Sequence, residues 1–435
     1  MKKIRVLLLT LILIAGTMGC GTRNKNFMAG FGKADISPEV GVELGSYGNA
    51  AIRKSRGVWT PLSALSLVLK DAEDNILVLI VTDLSWGDVT RTAQIRAEVH
   101  NTYGNPKENV MLAGTHNHNA PDYRSSYAKN VEYMKLWKDA VMKSVAQAME
   151  DIKPATMDIG RTETENLVFS RRYERADGTY VGGGPAEMNP QSNAPIVGHE
   201  SEADEEIQLV RFVREEGKDI LITNWQSHAC NIDANRNKDY HYMASGEWPG
   251  VMRDCVEEEL GVHCIYMQGA AGNMGCSSRI DGEFALEDST DFESIGQTLA
   301  DYVIKAYEAD GTFTAIETGL IKTNQYKMQV TTREGTVINQ EQKKPELNTI
   351  AIGDLSLVTL PIELFDTSAR WLKDETPYDM TLIMGYACGD GGYQAPDWAY
   401  EHSGYEVTNG IYEKGTAEKM MNHYLDTLKE FIKEK

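Results

Sequence analysis

Two strand–helix–strand alternations constrain this chain more than any other feature. Residues 76–83 (ILVLIVTD) and 109–115 (NVMLAGT) are short, apolar and rich in β-branched residues, as buried strands are. The stretch between them, 91–104 (RTAQIRAEVHNTYG), carries a helical period and stops at Gly104. The pattern returns with 219–226 (DILITNWQ), 247–261 (EWPGVMRDCVEEELG) and 263–268 (HCIYMQ). Such units demand parallel strands with helices packed over them, so the expected fold is α/β: layered mixed β-sheets flanked by helices and built from βαβ units. A site is expected at the carboxyl ends of the strands, where the loops converge.

Between the two units, 125–153 reads as an amphipathic helix and 160–204 as a Gly-, Pro- and Asn-rich excursion, a kind of segment that is more often functional than idle. A helix over 290–309, strand-like runs at 315–333 and 349–360, a turn-rich 385–410 and a closing helix from about 415 to 433 complete the pass.

The amino end reads differently. Lys2, Lys3 and Arg5 precede an apolar run of about eleven residues and then small residues before Cys20, the pattern of an export signal rather than a membrane span. The expectation is a signal peptide over 1–19, lipid attachment at Cys20, a tether over 20–28 and a catalytic domain over 29–435, with plain secretion as the fallback. The chain would then sit on a bacterial membrane, periplasmic or at the cell surface. The remaining 415 or so residues are 42% hydrophobic over the whole chain, ample for a large core. A formal charge of -21 disfavours nucleic acid and leaves no polybasic patch for anionic lipid, so any membrane attachment should run through Cys20. Cys230, Cys255, Cys264, Cys276 and Cys388 form no CxxC pair, allow at most two disulfides and give no spacing for a thiolate metal site.

Of nine histidines, His116 and His118 stand in GTHNHNAPDY just after the second strand, and His228 stands in NWQSHACN after another. On an extended segment the i, i+2 spacing puts both imidazoles on one side, about 6 to 7 Å apart. Metal binding and a hydrogen-bonded polar strand end both fit that spacing. Glu363, in LVTLPIELF, follows an apolar run towards the same kind of terminus, where a helix cap is the alternative. Two histidines and a glutamate are a common set for catalytic zinc with an open position for water. The three lie far apart in sequence, so spacing does not establish that they meet.

These segments resemble, in order, those of the neutral/alkaline ceramidase family, zinc amidases that split ceramide into sphingosine and a fatty acid. AGFGKADISPEVGVELGSYG resembles the family's glycine-rich opening, GTHNHNAPDY its double-histidine motif and FSRRYERADGTY its arginine segment. NWQSHACN, GEWPGVMRDCVEEELG, QGAAGNMG, LPIELF and GDGGYQAPDWAYEHSGYE follow at similar positions. The resemblance implies Zn2+ held by His116, His228, Glu363 and Tyr393, with His118 beside the metal near substrate. It gives Arg172, or Arg171 next to it, a part in activity. The turn at 269–275, with Gly272, Asn273 and Gly275, would aim backbone N–H groups at an oxyanion, although a tight connection that merely needs glycine fits the same sequence.

The implied reaction is attack by zinc-bound hydroxide on an N-acyl amide, with Tyr393, His118 or Arg172 stabilising the tetrahedral oxygen, and a small-molecule or lipid-like substrate. Three departures stand against a simple transfer: Gly275 occupies the place of a family serine, Asn119-Ala120 replaces Ser-Gly, and the family's C-terminal β-sandwich has no counterpart expected here. The substrate is therefore open to a glycan or another ester or amide, by hydrolysis or elimination, and a non-catalytic surface binding protein is the reading outside enzymes.

Overall fold

The computed structural model describes residues 27–433, apart from 48–49, 185–186, 188, 232–239, 281–290 and 337–341. The expected signal peptide and the expected lipidation residue Cys20 lie outside the described residues. Both expected βαβ units are present. Strands Ile76–Thr82 and Val110–Gly114 pair in parallel around helix Val89–Tyr103, and Ile220–Trp225 pairs in parallel with His263–Gln268 around helix Glu247–Leu260. Asp88 caps the first helix by accepting from the N–H groups of Thr90 and Arg91, and Gly104 ends it in the left-handed conformation.

The two units lie at opposite ends of one mixed sheet, described with nine strands. Its order runs His263–Gln268, Ile220–Trp225, Glu206–Arg214, Lys153–Glu163, Met28–Asp35, Ser63–Lys70, Ile76–Thr82 and Val110–Gly114, with Phe313–Ile316 also on Lys153–Glu163. The sheet curls far enough for His263–Gln268 to touch Ile76–Thr82, bringing the carboxyl ends of both units together. A second sheet holds Ile321–Lys327, Glu346–Ile352, Leu355–Thr359 and Met380–Met384, the last two being parallel around helix Asp366–Glu375.

Strand alternation sorts the core into layers. Leu77, Leu79 and Val81, with Leu65, Leu67 and Leu69, face Ile350, Leu355, Leu357, Met380 and Leu382 of the second sheet. Val78 and Ile80 face the other way, into a core with Ile95, Trp137, Val141, Met252 and Leu299 of the covering helices. Leu347, Val358 and Ile383 pack beneath Leu372, Tyr424 and Leu428 of the last two long helices. The result is helices, sheet, sheet, helices. Truncating a residue of the inter-sheet layer, such as Leu67→Ala, should cost about 2 to 5 kcal/mol.

Several strands lie outside the sequence reading, among them Met28–Asp35, Ser63–Lys70 and Glu206–Arg214. Lys153–Glu163 runs into the expected excursion, and the run 315–333 breaks into two strands. Gly30 and Gly32 explain part of this. A Cβ at either would fall 2.1 Å from the Ala148 carbonyl oxygen or 1.9 Å from that of Ser144. Glycine there lets helix Ala128–Glu150 lie directly on the strand, and its apparent weakness as a strand former hides a packing requirement.

Candidate metal centre

His116 leaves its strand sharply. The strand ends at Gly114, and His116 takes a left-handed φ of 58°. The expected extended arrangement of the two imidazoles is therefore corrected: the turn folds them together, with Nε2 of His118 3.3 Å from Nε2 of His116 and the rings edge to face. His118 N–H donates to the Ala229 carbonyl at 3.0 Å, tying this turn to the residue after His228. The guanidinium of Arg53 donates to the carbonyls of Gly45, His118 and His241 and fixes the same loop from outside.

The geometry supplies the convergence that spacing left open. Nε2 of His116 and Nε2 of His228 each lie 3.3 Å from the same oxygen, Oε2 of Glu363. Nδ1 of His116 is 3.2 Å from the Ser85 carbonyl, and Nδ1 of His228 is 3.1 Å from that of Met274. A carbonyl only accepts, so both Nδ1 atoms carry a hydrogen, and in the neutral imidazoles each Nε2 presents a lone pair. Glu363 Oε2 is buried without a hydrogen-bond partner among the described residues. In that neutral form lone pairs of both rings face the carboxylate oxygen, an arrangement that fits a bound cation.

The nitrogens of His116, His118 and His228 all lie within 4.8 Å of one another. Burial holds the His118 imidazole well below its usual pKa, with His116 and His228 adding to the effect. Burial and then the Arg171 guanidinium push His228 down to about 3. Both rings are accordingly neutral at pH 7, the form that ligates metals.

Tyr393 pairs with Glu363 across two short parallel strands, Glu363–Leu364 and Tyr393–Gln394. Its Oη lies 3.4 Å from Nε2 of His228 and accepts a 2.8 Å hydrogen bond from Nη2 of Arg171. Burial keeps the phenol well above its ordinary pKa although Arg171 opposes it.

Of the two arginines, Arg171 rather than Arg172 touches the cluster. Its fully buried guanidinium pairs with Glu200 and Glu406 and donates to the Ser403 carbonyl at 3.0 Å. Arg171 reaches the cluster through Tyr393, while its Nε sits 3.0 Å from Glu406 Oε1 and its Nη2 donates to the Gly272 carbonyl. Adjacent residues of an extended segment point to opposite sides, so one arginine serves the site and the other the scaffold.

The glycine-rich turn commits part of its backbone to the fold. Gly272 N–H donates to the Leu364 carbonyl at 2.8 Å, and a Cβ there would lie 2.6 Å from the Glu363 carbonyl oxygen. The Asn273 side chain exchanges hydrogen bonds with Asp366, its carbonyl accepts from Arg171 N–H, and Gly275 pairs with Phe169. The turn docks the Glu363 segment, using for that purpose an N–H expected at an oxyanion. None of the five cysteines forms a disulfide.

Sequence reasoning missed the Ser85 and Met274 carbonyls, Tyr386 stacked on His116, and Arg53. Carbonyl partners carry no residue-type signal. A cavity of about 820 Å³ is lined by residues including Ser170, Glu202 and Lys373 and by none of the three histidines.

Residues 27–261 match the model for "Neutral/alkaline non-lysosomal ceramidase, N-terminal". The chain is similar to the neutral ceramidase of Pseudomonas aeruginosa, at 25% identity over 329 residues, or 70% of this chain and 45% of that protein. It is also similar to the neutral ceramidase of Drosophila melanogaster, at 24% over 285 residues, or 62% and 38%. The matches thus span less than half the length of these curated relatives. Two solved structures share the fold: "Ceramidase complexed with C2", with TM-score 0.73 and 18% identity, and a neutral ceramidase from Pseudomonas aeruginosa, with 0.72 and 20%. Each comparison covers 92% of this chain and 74% of the other.

Proposed function

We propose, from the premise that this chain belongs to the neutral/alkaline non-lysosomal ceramidase family, that it is a zinc-dependent hydrolase of N-acyl amides with a ceramide-like lipid as substrate. The observation that carries the reading is the convergence of Nε2 of His116 and Nε2 of His228 on one buried oxygen of Glu363.

His116, His228 and Glu363 would hold the metal, with Tyr393 as neighbour or fourth ligand. A bound Zn2+ supplies Lewis acidity, acidifying water and polarising an acyl carbonyl. The protein's own groups do the rest. The Ser85 and Met274 carbonyls keep both Nε2 atoms free of hydrogen. Arg171 orients the Tyr393 hydroxyl, which remains protonated and so can donate to a developing oxyanion. His118, neutral and partly buried, stands beside the ligands where it can accept or return a proton. Export and lipid attachment at Cys20 would bring the protein to a membrane, the place of a lipid substrate.

The test is ceramide turnover by the zinc-loaded form beginning after Cys20, with His116→Ala alongside. Turnover lost in the variant supports the reading. Full activity in metal-free protein would sink the zinc route, and zinc binding without ceramide turnover would move the substrate to another amide, ester or glycan.

A further inference from the structure

We propose that Tyr386 is a positioning residue of the metal centre, holding the His116 imidazole in the plane from which Nε2 meets Glu363. The inference rests on the metal-site reading above.

The Tyr386 ring stacks on the His116 imidazole with centroids 3.8 Å apart and planes 20° from parallel. A single hydrogen bond from Nδ1 to the Ser85 carbonyl leaves an imidazole able to pivot about that bond, because the terminal torsion of histidine is broad. A flat face 3.8 Å away removes the pivot. Trp86 closes another side, edge-on to His116 at 88° and to Tyr386 at 68°.

Tyr386 is itself fixed to the segments it serves. Its φ is 54°, and its carbonyl accepts from Gly87 N–H at 2.9 Å and from Gly114 N–H at 3.2 Å. Gly114 ends the strand that delivers His116, and Gly87 lies two residues beyond Ser85. The carbonyl that orients Nδ1, the ring that orients the plane and the backbone that carries the histidine form one unit. The Tyr386 hydroxyl is buried and has no hydrogen-bond partner among the described residues, so the stack accounts for the ring and leaves the hydroxyl dispensable.

The experiment compares zinc dissociation constants, by chelator competition without substrate, for the parent, Tyr386→Phe and Tyr386→Leu. Visible spectra of the cobalt-substituted forms are recorded alongside. Tyr386→Phe keeps the ring and should stay within about threefold of the parent. Tyr386→Leu should bind about 10 to 100-fold more weakly, the usual loss for a group that orients a ligand, with an altered cobalt spectrum. Should it fail to fold, Tyr386→Met fills a similar volume without a flat ring and carries the same expectation. Parent-like affinity and spectrum in the folded Leu or Met variant overturn the inference. So does a Phe variant as weak as Leu, which would assign the effect to the hydroxyl. A parent that binds no zinc overturns the metal-site reading itself.

Discussion

Oε2 of Glu363 lies 3.3 Å from Nε2 of His116, whose other ring nitrogen faces the Ser85 carbonyl and so carries a hydrogen. With a neutral imidazole that contact sets a carboxylate against a lone pair, and a cation between them would satisfy both. Replacing Glu363 by Gln should leave the fold intact and weaken zinc binding by more than about 100-fold, beyond what orienting groups contribute. Zinc content after dialysis against a buffered chelator measures this; an undiminished content would remove Glu363 from the ligand set.

Arg171 and Arg172 should separate by type of defect. Arg172→Met removes the guanidinium that joins the buried Glu200 and Glu406, leaving the first to His402 and the second to Arg171, and is expected to cost about 3 to 5 kcal/mol in denaturant unfolding. Arg171→Lys keeps a positive charge but not the fork that spans Tyr393, Gly272 and Glu406. Its unfolding midpoint should shift little while turnover falls.

Thiol titration reads the core directly. Burial pushes the Cys264 thiol up to about 12 and Cys388 to about 11, and raises Cys276 strongly. At pH 8 the form beginning after Cys20 should react with a disulfide reagent only at Cys230 and Cys255, the partly exposed pair, and at all five in denaturant. The same shifts set an alkaline slope. Above about pH 9 the unfolded chain releases thiol protons that the native state keeps, so stability falls as pH rises from 9 towards 11. Cys264→Ala should flatten that slope.

Gly275 occupies a site with room. A Cβ there would meet the Arg171 side chain at 3.9 Å, ordinary contact, and its φ is not in the left-handed region. Gly275→Ser should therefore fold with a melting temperature within a few degrees of the parent. A large loss would show that the turn needs glycine after all. Turnover in the folded variant tests whether the missing serine limits the reaction.

Attachment at Cys20 predicts palmitate incorporation in a bacterial host and its loss in Cys20→Ser. Equal labelling of the two would leave secretion as the route.

The parallel pairing of 76–82 with 110–114, and the delivery of His116 and His228 past strand ends, were legible because they depend on local hydrophobic period and on helix caps such as Asp88 and Gly104. Other features were set by contacts between distant segments: Arg171 rather than Arg172 at Tyr393, the glycine turn committed to Leu364, and Tyr386 laid against His116. Those contacts exist because the second sheet packs on the large one and the large sheet curls until its two βαβ units touch, placing residues about ninety to three hundred positions apart side by side. Local propensity acts over a few residues and carries no record of that curl. The chain itself therefore determined which groups are available for chemistry, while tertiary packing decided which of them meet.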